Sequence, residues 1–438
     1  MYLTALSLTN FRNYRAVELP LAPGLTIFSG PNGAGKSNIL EAIHCLATGR
    51  SYRARSDTEL RSFAPDPERP YTRVAGDVAA GDLTTTLEVI WAAEQDQAAG
   101  FSKRIRIGGA PRRASSLLQH LHVVLFTPHD IGLVDGAPSI RRRYLDYLLS
   151  RIDPSYLRTL QGYEHVMAER NALLRALREG ATRDRRQLEA WTQELTALGA
   201  TLMALRTVYT AHVAEPLTAY FTSLTGFGGE RRPSGSGAEC AGAGQSLQGP
   251  DVQTRAVERD PEKAEGDPRT ASLQLRYEST VPLPSGPPHC DELRTSALPQ
   301  AWLTEIQTAF AAALTEQAPR EQAQAVTVVG PHRDDLTFLR GDHPLAAYGS
   351  RGEQRLAALT LKLTEIALLH AESGEWPVIL LDDFLSELDA QRRRHVLASL
   401  APNVQAFATT SDLQQFSQDV VDGAHVLHVG DDSIEPAQ

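Results

Sequence analysis

The chain has 438 residues, 42% hydrophobic and 22% charged, the balance of a globular protein long enough to bury more than one core. A formal net charge of −10 excludes a surface that wraps nucleic acid on all sides, though it leaves room for a local basic face. Three scattered cysteines exclude a disulfide framework or zinc ribbon, and no transmembrane run or signal peptide is visible, so the expectation is a cytoplasmic, multidomain protein with no membrane partner.

At the N-terminus, Leu3, Ala5 and Ser7, then Val17, Leu19 and Leu21, alternate with polar or small neighbours and predict strands. Residues 25–28 predict a short buried strand that runs straight into a glycine-rich loop. Ile39, Leu40, Ile43 and Leu46 then fall at helical spacing until Gly49. Further strands are expected at 71–78, 83–91 and 104–107. From 156 to 209 the apolar period becomes helical in two stretches joined around Gly180. These read either as an antiparallel hairpin with a coiled-coil-like seam, each arm about 30 Å long, or as two core helices of a bundle. Residues 226–271 are rich in Gly, Ser, Pro and charge and are expected to be disordered. Order resumes with a strand at 273–277 and a helix over 300–317. The last part predicts a strand at 325–329, an amphipathic helix over 353–370, and apolar strands at 378–381 and 404–408.

The glycine loop carries the clearest chemistry. Gly30, Pro31, Asn32, Gly33, Ala34, Gly35, Lys36 and Ser37 match G-x-x-x-x-G-K-S between a strand and a helix. Successive backbone N–H groups and the helix start can cradle a polyphosphate, Lys36 can reach the β- and γ-phosphates, and the Ser37 hydroxyl can help hold Mg²⁺. Only four of the 43 basic residues are lysine, so Lys36 stands out. Asp382 and Asp383 end the apolar strand at 378–381, where open α/β sheets place their ligands. Asp382 is the expected Mg²⁺ ligand and Asp383 the expected general base beside the γ-phosphate. Ser350 and Gly352 open the helix about 30 residues earlier, a possible anion-binding turn or a plain cap. Asp389 follows in a Ser-Glu-Leu-Asp element.

In this order the motifs resemble those of the ATP-binding-cassette ATPases. The resemblance implies that two ATP molecules are sandwiched in a head-to-tail dimer, with Ser350 and Gly352 acting in trans and Asp389 at the seam. Additional elements narrow it: residues 8–14 around Phe11, Arg12 and Tyr14; residues 126–130 leading to 136–146 with Arg141, Arg142 and Arg143; and Gly330, Pro331, His332, Arg333, Asp334, Asp335 and Leu336. Together these resemble the RecF family over almost the whole chain except 226–271. The departures concern hydrolysis: Thr409, Thr410 and Ser411 stand where transporter-type cassettes carry a histidine, and Asp383 is shorter than their glutamate. Both point to slow hydrolysis, and no Q-loop glutamine is assigned.

The resemblance implies an α/β P-loop NTPase head of the ABC-ATPase type, with a helical arm domain inserted in it. The segments expected are head 1–112, arm 113–320 and head 321–438. It implies ATP and Mg²⁺ as cofactors, a weak ATPase acting as a switch, and a clamp on gapped, single-stranded or duplex DNA. It further implies RecO and RecR as partners in recombinase loading and a part in SOS induction. Arg12 and Tyr14 are implied at the adenine end of ATP, with packing at a strand end as the alternative. Two basic clusters are the candidates for DNA phosphates: Lys103, Arg104, Arg106, Arg112 and Arg113, and Arg141 with Arg142 and Arg143. A third surrounds the hairpin turn at Arg178, Arg183, Arg185 and Arg186. Two rivals remain: a transporter-type ATPase subunit without a DNA role, and a DNA-binding module with a vestigial nucleotide site.

Overall fold

The computed structural model describes the chain except for residues 64, 67, 94–100, 183, 184, 226–271, 285, 287–291, 400–403, 431, 432, 437 and 438. The segment 226–271, expected to be disordered, and Arg183 therefore lie outside the described residues.

Period-two alternation in the N-terminal part yields an antiparallel sheet. Its strands are β1 (Tyr2–Phe11), β2 (Tyr14–Pro20), β4 (Tyr71–Ala80), β5 (Leu83–Ala93), β6 (Phe101–Ile107) and β7 (Ala110–Arg112), in the order β2-β1-β4-β5-β6-β7. A second sheet gathers β3 (Leu25–Ser29), β8 (Val123–Phe126), β12 (Val378–Leu381), β13 (Ala406–Thr410), β14 (His425–Val429) and β15 (Ile434–Pro436). It runs β15-β14-β3-β13-β12-β8, parallel from β14 to β8 with β15 antiparallel at the edge. The two ends of the chain thus share one sheet. Strand β8 pairs with β12 from Val123 to Phe126, so the chain is still inside the head well past the boundary expected at 112.

Helix α1 (Lys36–Thr48) lies between the sheets. Its Ile39, Leu40, Ile43 and Leu46 are wholly buried with Leu3, Leu6 and Val74 of the first sheet and Phe28, Leu380 and Phe407 of the second. Gly49 ends it at φ +69 with its N–H on the Cys45 carbonyl, the left-handed stop that glycine adopts without strain. The opposite face of the parallel sheet, Ile379 and Leu381 included, packs with Leu145 and Leu148 of α3 (Pro138–Ile152) and Ala357 of α8 (Arg351–Ser373). All four residues of β12 are 0% exposed because both faces are covered, which is why it reads as an unbroken apolar run.

The inserted helices are α4 (Pro154–Arg178) and α5 (Arg185–Thr225), which turn near Gly180 at φ +73. Arg170 meets Thr192 and Tyr156 meets Arg206, so the pair is antiparallel. At 41 residues α5 is about 60 Å long, twice the arm expected. Helix α6 (Gln300–Gln324) packs on both, which decides for a bundle core. Strands β9 (Leu273–Glu278), β10 (Asp335–Arg340) and β11 (His343–Pro344) form a small antiparallel sheet beside it. Short helices α2 (Gly132–Asp135), α7 (Leu345–Tyr348) and α10 (Gln418–Asp422), with the ten-residue α9 (Ala390–Ser399), fill the connections.

The strand expected at 325–329 does not form. Ala325 is the left-handed cap of α6, and side chains replace the ladder: Asn171 Oδ1 accepts from Thr327 N at 2.7 Å and Glu321 Oε1 from Val328 N at 3.1 Å. A backbone satisfied in this way has no need of a neighbouring strand.

Candidate nucleotide and metal site

The loop between β3 and α1 is shaped by three glycines at positive φ: Gly30 (154°), Gly33 (89°) and Gly35 (103°). Gly30 also permits a close approach, since a Cβ there would stand 2.3 Å from the Val429 carbonyl oxygen. Lys36 folds back over the loop, its Nζ donating to the Gly30 and Pro31 carbonyls at 2.8 and 2.9 Å. Burial pulls its ammonium below the ordinary lysine value, against the upward pull of Asp383 and Asp382. Ser37 is half-buried on the first turn of α1.

The turn from β1 to β2 braces this loop. Tyr14 is buried and donates to the Gly35 carbonyl at 3.1 Å, Asn13 Nδ2 donates to the Ala34 carbonyl at 3.2 Å, and Asn38 Nδ2 donates to Asn13 Oδ1 at 2.8 Å. Arg12 forks onto Glu41 at 2.9 and 2.6 Å and donates to the Glu59 carbonyl at 2.8 Å. Glu41 is 0% exposed, and the Ser51 hydroxyl also donates to it. Arg12 and Tyr14 thus brace the phosphate loop and the segment after α1.

Asp382 and Asp383 stand at the carboxyl end of β12. The Tyr52 hydroxyl donates to Asp382 Oδ2 at 2.6 Å. Thr409, last but one in β13, accepts from Asp383 N at 2.8 Å and has its hydroxyl 3.3 Å from Asp382 Oδ1 and 3.4 Å from Asp383 Oδ1. Thr409, the first of the three residues that stand where transporter-type cassettes carry a histidine, therefore touches both carboxylates. Partial burial, then the charge of Asp382, holds the Asp383 carboxyl above the usual range, against Lys36. Asp383 itself sits at φ +50, a left-handed position uncommon for a residue with a Cβ.

The serine turn is elsewhere on the head. Ser350 caps α8 in a reciprocal capping box: its Oγ accepts from Glu353 N at 3.3 Å, while Glu353 Oε2 accepts from Ser350 N and from the hydroxyl at 2.9 Å each. Arg340 pairs with Glu353, and Arg351 reaches Asp135. Gly352 faces open space. Asp389 is exposed and accepts from Gln391 N and Arg392 N, at 3.1 and 2.8 Å, at the start of α9. Among the described residues no cluster of three or more His, Cys, Asp or Glu could hold a metal, so a cation here would need oxygens from its own ligand.

The structure divides the basic residues singled out in the sequence. Lys103 shares the Ile105 face of β6, donates to the Gly49 carbonyl at 2.9 Å and pairs with Asp57 at 3.0 Å. Arg104 and Arg106 lie on the other face, Arg106 near Glu88 at 3.7 Å. Arg112 and Arg113 are exposed at the sheet edge. Arg141 is 8% exposed and not free for a phosphate: it forks onto Asp335 at 2.7 and 2.7 Å and donates to the Gly136 carbonyl at 2.7 Å. Arg142 donates to the Asp334 carbonyl at 2.8 Å, and Arg143 is exposed. The element at 330–336 is likewise internal apart from exposed Arg333: Arg206 holds the Pro331 carbonyl at 2.6 Å, Tyr163 meets His332 at 2.7 Å, and Asp334 accepts from Thr280 N at 2.7 Å. Sequence reading missed Tyr52, Glu41 and Arg206; the polar residues next to the motifs were the only signal for the first two.

Comparison with known proteins gives a consistent result. The family model described as "RecF/RecN/SMC N terminal domain" matches residues 2–428. The chain is 39% identical to the DNA replication and repair protein RecF of Chloroflexus aurantiacus over 445 residues, covering 99% of each. It is 39% identical to that of Roseiflexus castenholzii over 449 residues and 33% to that of Herpetosiphon aurantiacus over 448, each covered completely on both sides. Among solved structures, it resembles the recombination mediator protein RecF with ATP in the RecFOR pathway, with a TM-score of 0.78, 26% identity, and 100% and 98% of the two chains covered.

Proposed function

The chain belongs to the RecF family, and from that premise we propose that it is an ATP-dependent DNA-binding switch of DNA repair and replication restart. The observation that carries this reading is the convergence of three separate segments at one end of the parallel sheet: the loop of Gly30, Gly33, Gly35 and Lys36, the Asp382–Asp383 pair on β12, and Thr409 on the strand between them.

ATP would lie on the N–H groups of the glycine loop, with Lys36 leaving the Gly30 and Pro31 carbonyls for the β- and γ-phosphates. Ser37 and Asp382 fit Mg²⁺: both offer hard oxygens, and so small a protein donor set suits an ion that keeps waters and phosphate oxygens. The ion would neutralise charge on the phosphates. Asp383, its carboxyl already raised, would accept a proton from the attacking water, and Thr409 fixes its backbone. An aspartate in that role, with Thr409, Thr410 and Ser411 where transporter-type cassettes carry a histidine, supports slow turnover. Ser350 and Gly352 would complete the site of a second copy, and Asp389 would lie at the seam. Such a dimer would clamp gapped, single-stranded or duplex DNA and act with RecO and RecR in recombinase loading and SOS induction.

Sedimentation of the wild type and of Ser350→Arg, with a short gapped DNA and with or without ATP·Mg²⁺, tests the reading. An ATP-dependent dimer that binds DNA, together with a Ser350→Arg variant that binds ATP yet stays monomeric, is the expected result. A wild type that binds ATP but remains monomeric and indifferent to DNA would overturn it in favour of the cassette ATPase without a DNA role.

A further inference from the structure

The segment between α1 and Leu60 belongs to none of the motifs, yet it touches the site at its most sensitive point. Tyr52 donates to Asp382 Oδ2 at 2.6 Å, across 330 residues of sequence. The phenol is firmly seated, its ring edge-on to His44 of α1 with the ring centroids 5.3 Å apart. The neighbouring residues fix the segment to the same helix. Ser51 donates to Glu41 and accepts from Arg53 N and Ala54 N, at 2.9 and 2.7 Å, and Arg53 Nη1 donates to Asn38 Oδ1 at 3.2 Å.

The outward side of the segment is basic. Arg50, Arg53 and Arg55 are exposed, and no acidic residue lies between Gly49 and Ser56. Asp57, the next acid, is taken by Lys103, whose Nζ also binds the Gly49 carbonyl. A Cβ at Gly49 would touch the Ala114 methyl at 3.4 Å, so the segment abuts the chain immediately after Arg112 and Arg113. Exposed Arg113 and Arg112 thus stand one and two residues before a contact with the segment that carries Arg50, Arg53 and Arg55 and hydrogen-bonds to Asp382.

Building on the DNA-binding reading, we propose that Tyr52 is a positioning residue that links DNA to the metal site: phosphates of a DNA backbone bind Arg50 and Arg55, and the segment they order aims Asp382 through the Tyr52 hydroxyl. A carboxylate oxygen that accepts one hydrogen bond keeps a lone pair for a cation, and second-shell donors of this kind typically change metal affinity about 10- to 100-fold when removed. Neutralisation of Arg50 and Arg55 by backbone phosphates adds an outer hold on a segment that Ser51 and Arg53 already fix to α1.

Full-length protein is titrated with Mg²⁺ while binding of a fluorescent ATP analogue is followed, with and without a short duplex, and in EDTA. Wild type should need several-fold less Mg²⁺ when DNA is present. Tyr52→Phe should bind the analogue normally in EDTA, need about tenfold more Mg²⁺, and lose the DNA effect. Arg50→Ala with Arg55→Ala should keep the wild-type Mg²⁺ requirement without DNA and lose only the shift. A Tyr52→Phe protein with the wild-type Mg²⁺ requirement, or with the DNA shift intact, overturns the proposal. Loss of analogue binding in EDTA also overturns it, because the role would then be structural. If the wild type binds no DNA by anisotropy, the DNA-binding reading itself fails, a result distinct from the Mg²⁺ comparison of Tyr52→Phe.

Discussion

Replacing Arg141 by alanine separates a structural arginine from a DNA-facing one within a single run of three. The guanidinium forks onto Asp335 at 2.7 and 2.7 Å, donates to the Gly136 carbonyl at 2.7 Å, and is 8% exposed. Removing one partner of a buried ion pair typically costs 3–5 kcal/mol, because the other charge stays behind. The Asp335 side chain is 22% exposed, so water recovers part of that, and the lower end, about 3 kcal/mol, applies. That is roughly a hundredfold in the folding equilibrium. Arg143 is exposed, so Arg143→Ala should change stability by less than about 0.5 kcal/mol. Arg141→Lys cannot reproduce the fork and should recover less than half of the loss. Urea unfolding followed by circular dichroism reads all three variants. An Arg141→Ala protein within about 0.5 kcal/mol of wild type, or an Arg143→Ala protein as weak as Arg141→Ala, would refute the assignment of Arg141 to the joint between α3 and β10.

Two further outcomes follow from the same geometry. His332 sits between the Tyr163 hydroxyl and the Thr327 carbonyl; burial, against the hydrogen bond to Thr327, lowers its pKa to about 4. The unfolded chain then binds more protons between pH 6.5 and 4, so this site's stabilisation is whole above that window and is lost as pH falls through it. The loss reaches about 3 kcal/mol, and His332→Gln should flatten that part of a plot of urea midpoint against pH. Ser350→Ala removes the acceptor of Glu353 N and should cost about 1 kcal/mol of stability with unchanged ATP affinity. Sedimentation with ATP·Mg²⁺ should show dimerisation at least about tenfold weaker; an unweakened dimer would reduce Ser350 to a cap.

The sequence made legible those parts of the site whose chemistry is local. The glycine loop needs eight consecutive residues and a strand and helix on either side, and the chain supplies them without interruption. Strand β12 was readable because burial on both faces leaves no polar position. The run of arginines at 141–143 misled because the partner of Arg141 is Asp335, brought near only when α3 packs against β10. Tyr52 was invisible for the same reason, since Asp382 lies 330 positions away. The apolar residues at 325–329 carry strand propensity, but Asn171 and Glu321, from two helices, took over their backbone groups. Propensity describes a residue's own preference, and here side chains distant in sequence provided the stronger hydrogen bonds.

Four of the groups assigned to the ATP site have partners in their own chain, and this bears on how the protein would work. Lys36 holds two loop carbonyls, Asp382 accepts from Tyr52, and Asp389 caps α9. Ser350 is the most constrained: its hydroxyl accepts from Glu353 N and gives its one proton to Glu353 Oε2. To donate to a phosphate it must release that carboxylate, while keeping the cap as acceptor. Arg340 already pairs with Glu353 and could hold the carboxylate as the proton turns away. Nucleotide and partner subunit would thus enter by exchange of hydrogen bonds, each new contact offset by one given up. The net gain per contact is then small, which suits a dimer that must reopen after hydrolysis more than a permanently closed one.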